Sequence, residues 1–289
     1  MADSSPNVRL RLANTPENVV LVREMLLGVG EAIELDPSNL NDVRTAVTEA
    51  CNNVVLHAYQ GGPGPLEIEL YLAGHSLGVL VRDRGIGLPA ESISLEKDIS
   101  GIGLHVIQTL TQTVEFADGD GRGTDVWMWF EAPQAASLAP LHPDGDQAPM
   151  LALPGVPTTT ICIAPISLAR TILPRLMITL AAHAHFSTDR ISDAQLLADA
   201  LVAHAQTAIS GDKLSIDVAV EPRDLELHIS PLNVGRAREL IEQSELGELG
   251  GVIEQLTDRH QVVSTGTHET LTLWLSSDPP SRKAESHVH

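Results

Sequence analysis

Apolar and arginine residues alternate at the start of the chain. Val8, Leu10 and Leu12 fall on one side and Arg9 and Arg11 on the other, a pattern that predicts a strand. The period then changes. Val19, Val20, Val22, Met25, Leu26, Val29 and Ile33 recur at helical spacing to about Leu35, with Asn14 or Thr15 as cap and Pro16 in the first turn. Asp36-Pro37 breaks this helix. Val43, Ala46, Val47, Ala50, Val54 and Val55 predict a second one over Asp42–Tyr59, capped by Ser38 or Asn39. Two strands, Leu66–Leu72 and Leu77–Val81, flank the turn Ala73-Gly74-His75-Ser76. A loop covers Asp83–Ser100, a helix Ile102–Thr111, and two strands Thr113–Ala117 and Thr124–Glu131. The order β-α-α-β-β-α-β-β predicts an α/β two-layer sandwich, a mixed sheet with helices on one face.

The same order then returns. Strand 159–164, helices 167–185 and 192–209, hairpin strands 214–220 and 225–229, a helix near 251–259 and strands 261–264 and 269–276 follow in turn. GTDVWMWF at 123–130 echoes GTHETLTLWL at 266–275, so the fold is expected twice in tandem, with a period of 143–151 residues that is too long for a solenoid. Between the copies, 132–156 is rich in proline and alanine and reads as a semi-rigid linker. The expected organisation is a domain at 1–131, the linker, a second domain at 157–276 and a disordered polar tail at 277–289.

Composition narrows the class. Of 289 residues, 43% are hydrophobic and 19% charged, which fits a packed chain. The net charge of −20 argues against direct nucleic-acid binding, which needs basic surface to displace counterions. No apolar run reaches the ~18 residues of a membrane span, and MADSSPNVRLRL has no signal core. Cys51 and Cys162 fall in a helix and a strand and read as free thiols, so a cytoplasmic location is expected.

Glu49 and Asn53 stand four apart on the second helix and share a face. A buried carboxylate and amide left unpaired cost ~1–3 kcal/mol each, so a ligand is a natural partner. Asp83 lies where a strand ends, with Gly85 and Gly87 behind it. A carboxylate there can accept from an exocyclic ring amine, and glycines let backbone approach a flat base. Gly101 and Gly103 open a helix whose free N–H groups favour phosphate. Thr124 begins a strand and can donate to a phosphate or a ring nitrogen. Each piece alone has an ordinary reading as a turn or a cap. Trp127 and Trp129 share one face of their strand and read as core, Tyr59 as a packing residue at the helix end, and Lys97 as a solvated lysine. His57 reads equally as a site or partner contact and as a satisfied helix-end residue.

Taken in order, the four pieces resemble the ATP-binding fold shared by gyrase, sensor histidine kinases and MutL-type repair proteins, the GHKL fold, over residues 8–131. Glu49 and Asn53 match E-x-x-x-N. Asp83, Gly85 and Gly87 match D-x-G-x-G, Gly101 and Gly103 match G-x-G, and Gly123-Thr124 match G-T. TEACNNVVLHAYQ is similar to the corresponding helix of bacterial anti-sigma-factor serine kinases, matched by Glu49-Ala50, Asn53, His57, Ala58 and Tyr59. The resemblance implies ATP and Mg2+ as cofactors. It makes Asn53 the Mg2+ ligand, Asp83 the reader of the adenine amine and Thr124 its support, with Gly101, Gly103 and the neighbouring Leu104 around the phosphates. Glu49 becomes the general base towards a serine or threonine of a partner protein, and 89–100 the lid. The partners implied are a sigma factor, an anti-sigma antagonist, or both. Two rival readings stay open: an ATP-gated binding switch without phosphoryl transfer, and the catalytic module of a split histidine kinase.

The second half lacks these residues. Ala200 and His204 stand where Glu49 and Asn53 stood, and Ser230 near the position of Asp83. It reads as a degenerate copy that does not bind nucleotide. Because the related kinases resemble homodimers, the tandem chain is expected to form either an internal pseudo-dimer or a homodimer.

Overall fold

The computed structural model describes residues 5–87, 102–118, 123–133, 135, 158–244 and 251–277. The expected lid at 89–100, Gly101, most of the linker and the tail after Ser277 lie outside these residues.

The strands form one ten-stranded sheet. The first half contributes β1 (Val8–Ala13), β2 (Pro65–Ala73), β3 (Ser76–Asp83), β4 (Thr113–Asp118) and β5 (Thr124–Glu131). The second contributes β6 (Thr158–Ile163), β7 (Leu214–Glu221), β8 (Asp224–Leu232), β9 (Arg259–Ser264) and β10 (Glu269–Ser276). The order across the sheet is β4-β5-β3-β2-β1-β6-β7-β8-β10-β9. Every neighbouring pair is antiparallel, so the sheet is not mixed. A single helix between strands brings the chain back parallel. Here α1 (Pro16–Ala32) and α2 (Pro37–Asn53) lie in series between β1 and β2, and the extra reversal sets β2 against β1. The single helix α3 (Ile102–Leu110) does return β4 in the direction of β3, but β5 inserts between them.

The second half repeats the plan with α4 (Ala169–His183), α5 (Thr188–Ala208), α6 (Arg236–Glu242) and α7 (Val252–Leu256). Counted outward from the two hairpin turns, Leu70 corresponds to Val218, Ile68 to Ile216 and Asp83 to Pro231. The same register makes Leu10 the counterpart of Ile161, and these two residues face each other across the β1–β6 pair. An approximate two-fold axis therefore passes between them. Equivalent edge strands, different in sequence, meet in the manner of a symmetric dimer, inside one chain.

Helices cover one face, and the apolar side of both half-sheets joins them in one continuous core. The seam is tight where α1 meets α4. A Cβ on Gly28 would lie 2.6 Å from the Thr171 carbonyl oxygen and 2.9 Å from Ile172 Cα, so only glycine permits this approach. Gly28→Ala gains ~1 kcal/mol of helix propensity, but forcing the backbones apart costs about 1–3 kcal/mol. We expect a lower melting temperature; a higher one would contradict the close approach.

Several boundaries differ from the sequence expectation for local reasons. α2 starts at Pro37, not near Asp42, because Asp36 is the cap: its side chain accepts from the Ser38 N–H at 2.8 Å, and Pro37 needs no N–H partner at the first position. α2 does not run unbroken to Tyr59 but passes into a π-turn at Val54–Ala58. Trp127 and Trp129 are not core. They alternate with buried Val126, Met128 and Phe130, stack on each other at 6.2 Å, and stand half-exposed on the face away from the helices. The Trp129 ring covers Gly78, whose missing side chain makes the room. α6 was not anticipated, its seven residues being too short for a periodic signal. Among the described residues no helix is long and apolar enough to cross a membrane.

Candidate functional site

α2 buries Val43, Ala46, Val47 and Ala50 and leaves Glu49 and Asn53 half-exposed on the flank facing α3. A Cβ on Gly103 would sit 3.0 Å from Glu49 Oε2, 3.7 Å from Asn53 Oδ1 and 3.9 Å from Asn53 Nδ2. The first turn of α3 thus lies directly against the carboxylate and amide, with the Glu49 carboxylate close to where a side chain at 103 would begin. Leu104 follows in the same turn, half-buried. Free N–H groups of a helix start, a carboxylate and an amide oxygen meet in one place. That arrangement can hold a phosphate and a hydroxyl nucleophile side by side.

Asp83 ends β3 and is 4% exposed. Gly85 N–H donates to its Oδ1 at 2.7 Å, and Thr124 donates from both hydroxyl and backbone N–H. Burial pushes the Asp83 carboxyl above its ordinary pKa, and these donors offset part of the rise. The register that sets Thr124 beside Asp83 is held one step along. Arg82 and Asp125 face each other across β3 and β5 and form a bidentate pair at 2.8 and 2.7 Å. Gly123, at φ +86°, presses on the same strand end, where a Cβ would lie 2.1 Å from the Asp83 carbonyl oxygen. Gly87, at φ +77°, lies behind it, its Cβ position 3.3 Å from the Gly123 carbonyl oxygen.

The two groups are joined through the end of the helix. The Ala58 carbonyl accepts Ile86 N–H at 2.9 Å, and a Cβ on Gly85 would lie 2.0 Å from that same oxygen. Ala58 ends the π-turn, and the carbonyls of a helix's last turn have no partner within the helix. Ala58 lies five residues beyond Asn53, at the far end of the π-turn. Of the expected site residues, Glu49, Asn53, Gly103 and Leu104 form one cluster. Asp83, Gly85, Gly87 and Thr124 form a second, tied to the first by Ala58. Gly101 lies outside the described residues. His57 is exposed at the same helix end, as is Arg84 beside Asp83.

Ala58, Tyr59 and the Arg82–Asp125 pair were missed as site-building residues. The HAY and RD spellings were visible, but nothing local says that a carbonyl or a phenol will reach a loop 25 residues away.

The second half carries different side chains at the corresponding positions. Burial of α5 matches that of α2, with Ala194, Ala198, Leu201 and Ala205 in the places of Val43, Val47, Ala50 and Val54. Ala200, in the place of Glu49, is fully buried. Hairpin register puts Pro231, rather than Ser230, in the place of Asp83, one position along because β8 begins at Asp224. Glu269 takes the place of Thr124 and accepts the Ala237 N–H of α6 at 3.1 Å. A cavity of about 630 Å3 nearby is lined by Arg238, Glu242, Glu254, His260 and Glu269, a set poor in what a triphosphate needs. Gly266 keeps a φ of +89°, yet no atom lies within 4 Å of its Cβ position, unlike Gly123.

The sequence that builds this site has known relatives. Residues 12–130 match the histidine kinase-like ATPase domain, and the chain belongs to that family of ATP-using proteins. More particularly, it is 32% identical over 107 residues to the anti-sigma F factor of Thermoanaerobacter sp. strain X514, covering 34% of this chain and 75% of that one. It is 32% identical over 105 residues to the anti-sigma F factor of Clostridium kluyveri, covering 33% and 74%. The serine-protein kinase RsbW of Bacillus thuringiensis is 25% identical over 133 residues, covering 42% and 83%.

Proposed function

We propose that this chain is an ATP-binding anti-sigma factor that transfers the γ-phosphate of ATP to a serine or threonine of an antagonist protein. The observation that carries this reading is the contact of Glu49 and Asn53 with the glycine-opened start of α3, at the helix end that also holds the Asp83 loop. Asp83 accepts the adenine amine, and Thr124 keeps its carboxylate turned to the base. The α3 N–H groups face the phosphates. Glu49 takes the proton of the attacking hydroxyl as its oxygen bonds to the γ-phosphorus and the bond to ADP breaks.

The donor set fits Mg2+. Among the described residues no group of three or more acidic, histidine or cysteine side chains is arranged for a metal. An ion that keeps its waters and binds phosphate oxygens needs only an Asn53-type oxygen from the protein. Bound there, Mg2+ would neutralise charge on the transferring phosphate.

The relatives' names support a sigma factor or an anti-sigma antagonist as partner. Labelled ATP, the full chain and a candidate antagonist test the reading. Acid-stable phosphate on the antagonist supports it. Acid-labile phosphate on histidine would favour a split histidine kinase, and ATP binding without transfer a pure switch.

The second half, on this reading, is a copy without nucleotide that supplies the pairing surface of a partner subunit. Because β6 already occupies the β1 edge, the particle should remain at the chain's 30.9 kDa in sedimentation. A particle of twice that mass would overturn the internal pairing.

A further inference from the structure

The hydroxyl of Tyr59 stands at the junction between the helix carrying Asn53 and the loop carrying Asp83. It accepts the Arg84 N–H at 2.8 Å and donates to the Pro65 carbonyl at 2.6 Å. Its ring lies flat on Gly64, where a Cβ would sit 2.1 Å from the ring edge, so the phenol cannot swing that way. Three successive residues of the loop are thereby fixed. Arg84 N–H is held by Tyr59, Gly85 N–H by Asp83 itself, and Ile86 N–H by the Ala58 carbonyl. The backbone between Asp83 and the helix end has no slack, and the direction of the Asp83 carboxylate follows from where Arg84 is pinned. Phenol burial raises the pKa of Tyr59, so the hydroxyl keeps its proton and both bonds persist at neutral pH.

We propose that Tyr59 is a positioning residue for base selection: by holding Arg84 it aims the Asp83 carboxylate at the 6-amino group of the bound purine. The inference rests on Asp83 reading the adenine amine, and goes beyond it in assigning the selectivity to a residue that never touches the nucleotide. The hydroxyl is the part that matters. Phenylalanine would keep the packing on Gly64 and lose the acceptor for Arg84 N–H and the donor to Pro65.

The test is a comparison of two nucleotides on the full chain by calorimetric titration with Mg2+. The probes are ATP and purine riboside triphosphate, which lacks the 6-amino group. Wild-type protein should prefer ATP by about 10- to 100-fold, the worth of a hydrogen bond to a charged acceptor. Tyr59→Phe should reduce that preference to about threefold or less, with most of the loss on the ATP side. Melting curves without nucleotide check that the variant is folded. Should it not be, Gly85→Ala moves the same loop away from the Ala58 carbonyl and should compress the same ratio. A purely structural role would weaken both nucleotides alike, and a Tyr59→Phe protein with the wild-type ratio overturns the proposal. If wild type itself shows no preference, the reading of Asp83 fails first, and the two failures are distinguishable.

Discussion

Glu49→Gln is expected to lower phosphoryl transfer to the antagonist by about 100- to 10,000-fold, the usual contribution of a positioned general base. ATP affinity should change by no more than about threefold, since an amide of the same shape keeps the packing against Gly103. Position is what singles out this carboxylate. Glu49 lies one helical turn before Asn53, and both border the first turn of α3, so a γ-phosphate held by that turn lies beside it. Lost binding and lost transfer in parallel would mean that Glu49 holds nucleotide rather than a proton. Retained transfer would make the carboxylate incidental. Single-turnover transfer and equilibrium titration on the same preparation separate these outcomes, because a base acts only in the transition state.

The parts of this protein legible in its sequence are those set by periodicity and by short-range chemistry. Val8, Leu10 and Leu12 gave β1 away, and the helix-spaced valines and alanines of α2 gave its buried face. The repeat was legible too, since Trp129 and Trp274 occupy equivalent places on β5 and β10, opposite Gly78 of β3 and Glu226 of β8, which are equivalent in their turn. Parity of the crossover was not. Whether two helices in series leave the next strand parallel or antiparallel depends on how they stack, which no single segment encodes. The seam was hidden for the same reason. Gly28 looks like an ordinary helix-interior glycine until α4 lies on it, and the facing of Leu10 and Ile161 joins residues on either side of a long connection. The absence of Glu49, Asn53 and Asp83 counterparts in the second half was visible in the sequence, but the contact of Glu269 with α6 was not, because α6 has no period to read.

Asp83→Asn should lower ATP affinity by about 100-fold or more while leaving the unliganded protein at least as stable as wild type. The amide presents a donor to the adenine amine, so a charge-assisted bond of ~1.5–3 kcal/mol is lost and two donors are left facing each other. Stability follows from the sign of the pKa shift. Burial raises the Asp83 carboxyl in the folded state, so the fold prefers its neutral form. That preference stabilises fully below the unfolded pKa and is lost as pH rises through the folded one. At neutral pH wild-type Asp83 is therefore a charge held against burial, and a neutral amide of the same shape relieves it. The melting temperatures of the two proteins should converge on acidification, as wild type also becomes neutral. Nucleotide affinity of wild type should fall over the same interval, beginning above the pH at which an exposed aspartate protonates. A large drop in melting temperature for Asp83→Asn at neutral pH would mean that the bonds from Gly85 and Thr124 outweigh the burial. The carboxylate would then be holding the strand end rather than waiting for a base.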